Sequence, residues 1–492
     1  MQLQTRTIIV PSFYYIDNWR EENGKMIKEL TINGLRGFGE PRSIQFAIPD
    51  GRSGSGLTIF VGANNSGKTT IFEALRSFNS QMGNPPSFSE RKRNVKCENG
   101  KIHLSVQTDT GTYKIDTVEE GGSTTTFKKE GIVEGEWWDG INIFVLQSRR
   151  FSDYEFHRND MGRDDYIRNQ QMNTYNRSST IYEFNARLFK MQKNKSLFDK
   201  LLQQVLGYDL NWTIEQNDNG MYYLKLSING CAHSSEGLGD GIWSVFTICD
   251  ALYDSTPGSV IAIDEPELSL HPAYQKRILQ LFDEFSKDRQ IFINTHSPYF
   301  LNFEALVHGA FLYRTVKNSE GNIDVFALSD ESKKYISSFL KDINQPHTLG
   351  LEAKEMFFME DRVILTEGQE DVVMYQKASE NVDMRLGGTF FGWESGGASN
   401  ISKIAYILHD LGYKKVAAIF DGDKSDELNQ FKRQFPEYSG VGISAADVRD
   451  KKAVNNPEKK GMMTQSGKLK DEFKDEISQL FSTLNMYFSE QT

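Results

Sequence analysis

The stretch Leu57-Thr-Ile-Phe-Val61-Gly62-Ala-Asn-Asn-Ser-Gly67-Lys68-Thr69-Thr70 decides the reading of this chain. Five apolar or β-branched residues read as a buried strand that stops at a glycine. Residues 71–78, IFEALRSF, then carry apolar side chains at helical spacing. Strand, glycine-rich loop and helix form the context in which GxxxxGK[ST] cradles phosphates. Glycines let backbone amides wrap the anion, and the helix start adds positive potential. In this reading Gly62, Asn65, Ser66 and Gly67 line the loop, Lys68 reaches the β and γ phosphates, and Thr69 holds Mg²⁺ with Thr70 beside it. A chance glycine-rich turn is the alternative, and the flanking strand and helix argue against it.

Working outward, Val260-Ile-Ala-Ile-Asp264-Glu265-Pro-Glu267 ends an apolar strand in carboxylates. Ligand sites of α/β sheets lie at such strand ends. Asp264 is the candidate for Mg²⁺ through water, and Glu265 for orienting and deprotonating the attacking water. Asp-Glu-Pro also commonly just ends a strand. About 30 residues on, Asn294-Thr295-His296-Ser297 closes another strand, and His296 can hydrogen-bond a γ-phosphate. Ahead of both, between the phosphate loop and Asp264, His233-Ser-Ser235-Glu-Gly237-Leu-Gly-Asp-Gly241 opens a helix. Its amides, Ser235 and Gly237 are candidates for a phosphate bound to another subunit; a plain helix N-cap is the alternative.

These four segments, taken in chain order as phosphate loop, signature helix, Asp264-Glu265-Pro-Glu267 and Thr295-His296, resemble the ABC-type ATPase head of SMC-like and RecF-like proteins over residues 27–335. The signature departs from the family's usual LSGGQ-like form. The carboxylate motif, running on to His271 and Pro272, is closer to RecF-like and SMC-like heads than to transporters. No heptad run fills the interval between Lys68 and Asp264, so a long coiled coil is excluded.

A second set of carboxylates follows. Thr366-Glu367-Gly368-Gln-Glu370-Asp371 succeeds a strand, and Ile419-Phe-Asp421-Gly-Asp423-Lys424 succeeds another. Clustered acids repel one another unless cations sit among them. Oxygen ligands suit Mg²⁺ or Mn²⁺, and such ions can activate water for phosphodiester cleavage. Taken singly, Asp-Gly-Asp is a common turn. Together, and with Gly396-Gly397 between them, the residues resemble a TOPRIM domain.

An ABC-type head followed by TOPRIM resembles the OLD (overcoming lysogenisation defect) nucleases. The resemblance implies an α/β chain: an ABC-type P-loop ATPase with a mixed sheet and a helical insert at about 150–207, spanning 1–345. A connector at 346–360 and a Rossmann-like TOPRIM domain with a parallel sheet at 361–492 follow. It implies an ATP-binding and ATP-hydrolysing, divalent-metal-dependent DNA endonuclease, an effector of anti-phage defence whose nucleotide state controls cleavage. Glu367, Asp371, Asp421 and Asp423 map onto the metal ligands. Lys468 is the candidate for the lysine near the scissile phosphate, with Lys460 and Lys470 competing; Asp447 and Asp450 are further candidates for supporting a metal. The family implies a homodimer or higher even oligomer through the heads, and in some members a helicase-like partner or a retron reverse transcriptase with its DNA. The alternative is an ATP-driven sensor or scaffold with an inert TOPRIM that regulates a partner protein. A topoisomerase or primase fits less well, because an ABC head explains neither.

Secondary structure elsewhere is coarser. Residues 28–51 read as two strands around a glycine turn, 101–146 as strands, 151–178 as a polar loop, and 180–207 as one or two helices. Asn219-Gly220 signals a tight hairpin. The second alternation predicts strands at 362–367, 389–393 and 415–421, helices from 371 and over 400–411, and a last helix near 470–483.

Composition bounds the rest. Across 492 residues, 56 basic and 67 acidic side chains leave a net charge of −11, so nucleic acid must be met through local basic patches or metal ions. Candidate patches are Arg91-Lys-Arg93, Arg149-Arg150 and Lys459-Lys460. Three cysteines without CxxC spacing exclude a cysteine-based zinc site and fit a cytoplasmic chain. No secretory signal or membrane-spanning run is read.

Overall fold

The structure, a computed structural model, describes residues 25–79, 86–97, 100–117, 125–129, 141–148, 156–172, 184–193, 195–228, 230–237, 239–340, 351–392, 397–451 and 459–490. Two compact units emerge: 1–58 with 69–293, and 59–68 with 294–492. The second unit therefore takes up the phosphate loop and the stretch after residue 293, whereas the sequence reading drew its boundary near 345.

In the first unit, β1 (Ile27–Asn33) and β2 (Arg42–Gln45) pair antiparallel, followed by β3 (Leu57–Val61) and α1 (Lys68–Arg76), both shared with the second unit. β4 (His103–Thr108), β5 (Thr112–Thr117) and β6 (Thr125–Lys129) extend β1 into an antiparallel sheet of order β2-β1-β4-β5-β6. Every second residue of β4 and β5 is buried, as a one-faced sheet requires. β7 is Ile143–Leu146.

Three helices follow: α2 (Arg163–Met172), α3 (Phe184–Lys193) and α4 (Lys195–Leu206). The first corrects the expectation of a loop over 151–178. Its composition is polar, but Tyr166 and Ile167 are buried and Arg163 lies 4.6 Å over the Phe144 ring, so tertiary contact overrides a weak local pattern. β8 (Asn211–Gln216), β9 (Tyr222–Ile228) and β10 (Cys231–Ser234) make a three-stranded antiparallel sheet. Gln216 pairs with Tyr222, so β8 and β9 form the hairpin that Asn219-Gly220 signals, with five residues in its connection.

The α5 helix (Asp240–Tyr253) is buried at every position from Trp243 onward, the mark of a central helix. β11 (Val260–Asp264), α6 (Pro272–Phe285) and β12 (Gln290–Asn294) complete this unit, with β12-β11-β7 as neighbouring strands. All residues of these three strands are buried, as expected for strands covered on both faces.

The second unit carries α7 (Phe303–Val307), then the hairpin β13 (Phe311–Lys317) and β14 (Ile323–Ala327), with β14-β13-β3 as neighbours. α8 (Asp330–Leu340) and α9 (Leu351–Glu355) follow; residues 341–350 of the expected connector lie outside the described residues. The second alternation is β15 (Val363–Thr366), α10 (Gln369–Asn381), β16 (Thr389–Gly392), α11 (Ala398–Asp410), β17 (Val416–Phe420), α12 (Ser425–Gln434), β18 (Ser439–Gly442) and α13 (Lys474–Ser489). Of these, α12 and β18 are not among the elements expected from the sequence. The sheet is wholly parallel, as expected, with order β16-β15-β17-β18. Its core joins Ile364, Ala417 and Ile419 to Val448, Met463 and Leu469 and to Ile477 and Phe481 of α13. No helix among the described residues is long and apolar enough to cross a membrane.

Candidate functional site

The phosphate loop leaves β3 through Gly62, whose φ is 141°. A Cβ there would stand 2.4 Å from the Thr315 carbonyl oxygen, so only glycine fits. Asn65 and Gly67 also take positive φ, 63° and 95°. Residues 63–65 are exposed, whereas Ser66 and Lys68 are buried. The Lys68 ammonium donates to the carbonyls of Gly62 and Ala63, each at 2.9 Å, and so lies within the loop it is expected to serve. Thr69 and Thr70 form the first turn of α1. Next to the loop strand, the Thr295 amide donates to the Phe60 carbonyl at 3.0 Å. This bond sets exposed His296 just beyond, and the Thr295 hydroxyl accepts from the Ser297 amide.

In the first unit, Asp264 is buried at the C-terminal end of β11. Glu265 has φ 48°, a left-handed conformation that costs a glutamate about 1–3 kcal/mol. The loop after it is braced by its own backbone and ends at His271, whose side chain caps α6 by accepting from the Ala273 amide. The start of α5 packs on the same loop. A Cβ on Gly241 would meet the Ser269 carbonyl at 2.6 Å, and the Ser244 hydroxyl donates to the Leu268 carbonyl at 3.2 Å. This contact between the signature segment and the carboxylate loop is invisible in the sequence.

Ser235 is the candidate phosphate contact for another subunit. It is 1% exposed, in a short 3-10 turn that also holds Gly237, whereas His233, Ser234, Glu236, Gly239 and Asp240 of the segment are exposed.

The second set of carboxylates sits where strand order dictates a crevice. The chain leaves β15 toward β16 on one side and leaves β17 toward β18 on the other. Ligands of parallel sheets bind outside the strand ends at such a switch point. Glu367 follows β15, and Asp421 and Asp423 follow β17. Asp371 stands in the first turn of α10 and accepts from the Gly368 amide at 3.0 Å. The Asp421 amide donates to Glu367 Oε1 at 3.4 Å, which ties the two strand ends together. Gly392 allows this packing, since a Cβ there would strike the Gly368 carbonyl at 2.1 Å. Gly397, at φ 68°, faces Glu367, and its Cβ would lie 3.8 Å from Oε2; Gly396 lies outside the described residues.

Charge crowding follows. Burial, then the Glu367, Asp371 and Asp447 carboxylates, push Asp421 up to about 8. Burial raises Asp371 to about 7 against the opposing Gly368 amide, with Glu367 adding to the rise. Glu367 is raised as well, chiefly by burial. A cation would relieve this repulsion. Yet among the described residues no three His, Cys, Asp or Glu side chains already stand in a metal-holding arrangement.

The lysines differ from the sequence reading. Lys468 is exposed and its ammonium makes no hydrogen bond or ion pair among the described residues. Lys470 is spent on Asp450 at 2.8 Å and the Gly461 carbonyl at 2.7 Å. Lys459 instead pairs with Asp423 at 2.7 Å, and Lys451 with buried Asp447 at 2.6 Å. Chain spacing gives no hint of which lysine folds back onto the acids. Arg91 to Arg93 lie in and beside a short 3-10 turn, where Lys92 pairs with Glu73 at 2.6 Å; Arg149-Arg150 lies outside the described residues.

A feature the reading did not single out braces α5. Arg187 of α3, fully buried, donates to Asp250 at 2.8 Å and to Asp254 at 2.7 Å, and Arg163 meets Asp254 at 2.9 Å.

Comparison with known proteins bears on the first of these regions. Residues 29–219 match the model of an AAA domain. Residues 147–302 match a model described as AAA domain, putative AbiEii toxin, type IV TA system. An AAA-type ATPase domain, and with it a nucleotide-binding site, therefore occupies this part of the chain. The Septu protein PtuA of Bacillus thuringiensis is 24% identical over 318 residues, covering 57% of this chain and 74% of that protein. Among solved structures, the SMC head domain of Thermotoga maritima is 16% identical at a TM-score of 0.36, covering 62% of this chain and 99% of that one. A Pyrococcus furiosus SMC head bound to the C-terminal domain of ScpA is 13% identical at 0.43, covering 64% and 100%.

Proposed function

We propose that this chain is an ATP-binding and ATP-hydrolysing, divalent-metal-dependent DNA endonuclease of the OLD type, an anti-phage effector whose nucleotide state controls cleavage. The observation that carries the reading is the meeting of Glu367, Asp371 and Asp421 at the switch point of a parallel sheet. Their burial and mutual crowding are costly without a counter-charge. Glu367, Asp371, Asp421 and Asp423 would hold Mg²⁺ or Mn²⁺. Bound, the ions would supply an activated water and neutralise the scissile phosphate. Lys459, at Asp423, stands better than Lys468 to receive a DNA phosphate.

In the ATPase, Lys68 and Thr69 would bind the nucleotide and Mg²⁺, Asp264 would support the ion, Glu265 would orient the water, and His296 would meet the γ-phosphate. A second subunit would complete the site, making the active form a homodimer or higher even oligomer. The likeness to the Septu protein PtuA supports a role in defence. Incubation of the purified chain with supercoiled plasmid in Mg²⁺, Mn²⁺ or EDTA tests the nuclease: nicked or linear product in the metals alone is the expected result.

One observation favours a second reading. Asp423 is already paired with Lys459, and no metal-holding triad stands preformed among the described residues. An ATP-driven sensor with an inert second site would look the same, and intact plasmid in both metals would select it.

A further inference from the structure

The β13–β14 hairpin has two faces, and each touches something different within the second unit. On one face the Thr315 hydroxyl meets the Ser66 hydroxyl of the phosphate loop at 2.6 Å. Ile323 lies on the same face, because Lys317 pairs with Ile323 and Thr315 with Val325 across the hairpin. Its side chain packs where a Cβ on Gly67 would come within 2.2 Å. On the other face stand Arg314 and its cross-strand partner Phe326. Arg314 is buried, donates to the Leu411 carbonyl at 3.0 Å and lies 3.8 Å over the Tyr413 ring. Phe326 fills the space beside Gly412, whose φ of 71° and absent Cβ admit the ring at 2.5 Å.

Residues 411–413 are the turn between α11 and β17. Both elements run from this turn to the carboxylates: α11 begins at Gly397 beside Glu367, and β17 ends at Asp421. Five residues of strand span about 16 Å as a stiff rod.

We propose that the β13–β14 hairpin is the relay by which the nucleotide state of the phosphate loop reaches the carboxylate site, with Arg314 as its positioning residue. The proposal deepens the function given above and rests on it for its effect on cleavage. A bound phosphate draws on the loop's amides and hydroxyls, so it competes with Thr315 for Ser66. A shift of Thr315 moves Arg314, the next residue of the same strand, and with it the 411–413 turn. Buried packing of this kind passes displacement on rather than absorbing it. Coupling of two sites requires an element that both of them bias, and the hairpin touches one and the root of the other.

The test is hydrogen exchange of the full chain with Mg²⁺ and a non-hydrolysable ATP analogue, read on amides 411–421, alongside plasmid cleavage. In the parent the analogue should change exchange there by about fivefold or more, a usual size for coupled sites. Arg314→Met, which keeps the stem but loses the donor and the charge, should bind the analogue within about twofold of the parent and show less than a fifth of that response. Its cleavage without nucleotide should match the parent's, and the effect of the analogue on cleavage should vanish. Should Arg314→Met fold poorly, Arg314→Lys keeps the charge without the planar stack and should show a reduced response. An undiminished response in the variants, or none in the parent, overturns the relay. Absence of cleavage by the parent in every condition would instead overturn the nuclease reading, and the exchange result would still decide the relay.

Discussion

Arg187→Met should unsettle the ATPase region although Arg187 touches no nucleotide-loop residue in its ion pairs. The guanidinium is fully buried between Asp250, 1% exposed, and Asp254, 25% exposed. Removing it leaves the Asp250 carboxylate buried without its main counter-charge, a loss of about 3–5 kcal/mol. For a unit of this size that lowers the unfolding midpoint by about 6 °C or more. The penalty should depend on pH. Burial already raises Asp250 despite Arg187, and losing Arg187 raises it further. A carboxyl raised in the folded state holds its proton there longer than in the unfolded chain, so stability falls as pH rises. The cost should therefore be larger at pH 8 than at pH 5. Arg187→Met combined with Asp250→Leu should recover most of the loss, because the buried charge is gone and Asp254 keeps Arg163 at 2.9 Å. Urea denaturation of the parent, Arg187→Met, Asp250→Leu and the double variant at both pH values measures this. Additive losses in the double variant, or a small pH-independent cost for Arg187→Met, would refute the reasoning.

Further outcomes concern the two sites. Lys68→Ala should abolish nucleotide binding in a fluorescent-analogue titration, and Gly62→Ala should do the same without any change of charge, because its Cβ meets the Thr315 carbonyl. Glu265→Gln should bind ATP like the parent but slow phosphate release by about 100-fold, in keeping with loss of a positioned base. Lys459→Ala should reduce plasmid cleavage by about 10-fold or more, as loss of a charged contact does, whereas Lys468→Ala should leave it close to the parent.

Features written in one contiguous stretch were legible in the sequence. The phosphate loop shows itself because strand, glycines, lysine and helix follow one another. Asp264 and Asp421 show themselves because each ends an apolar run. What the chain order does not contain is spatial order. That β15 and β17 are neighbours, and so bring Glu367 to the Asp421 amide, depends on how the sheet is threaded. The same holds for the lysines, since Lys459 and Lys468 are equivalent in composition and differ only in which one folds back. α2 was unreadable because its stability comes from Tyr166, Ile167 and the Phe144 contact rather than from its polar periodicity. The burial of Ser235 was likewise not legible, because a signature-like segment does not say which of its residues are covered.

The central claim is that the acids at the β15–β17 switch point cut DNA while the phosphate loop binds ATP. The most direct measurement compares the parent with Asp421→Ala for Mg²⁺- and Mn²⁺-dependent plasmid cleavage and for ATP binding on the same preparations. The account predicts that Asp421→Ala loses cleavage and keeps the parent's ATP affinity. Cleavage by Asp421→Ala at the parent's rate in both metals would contradict it.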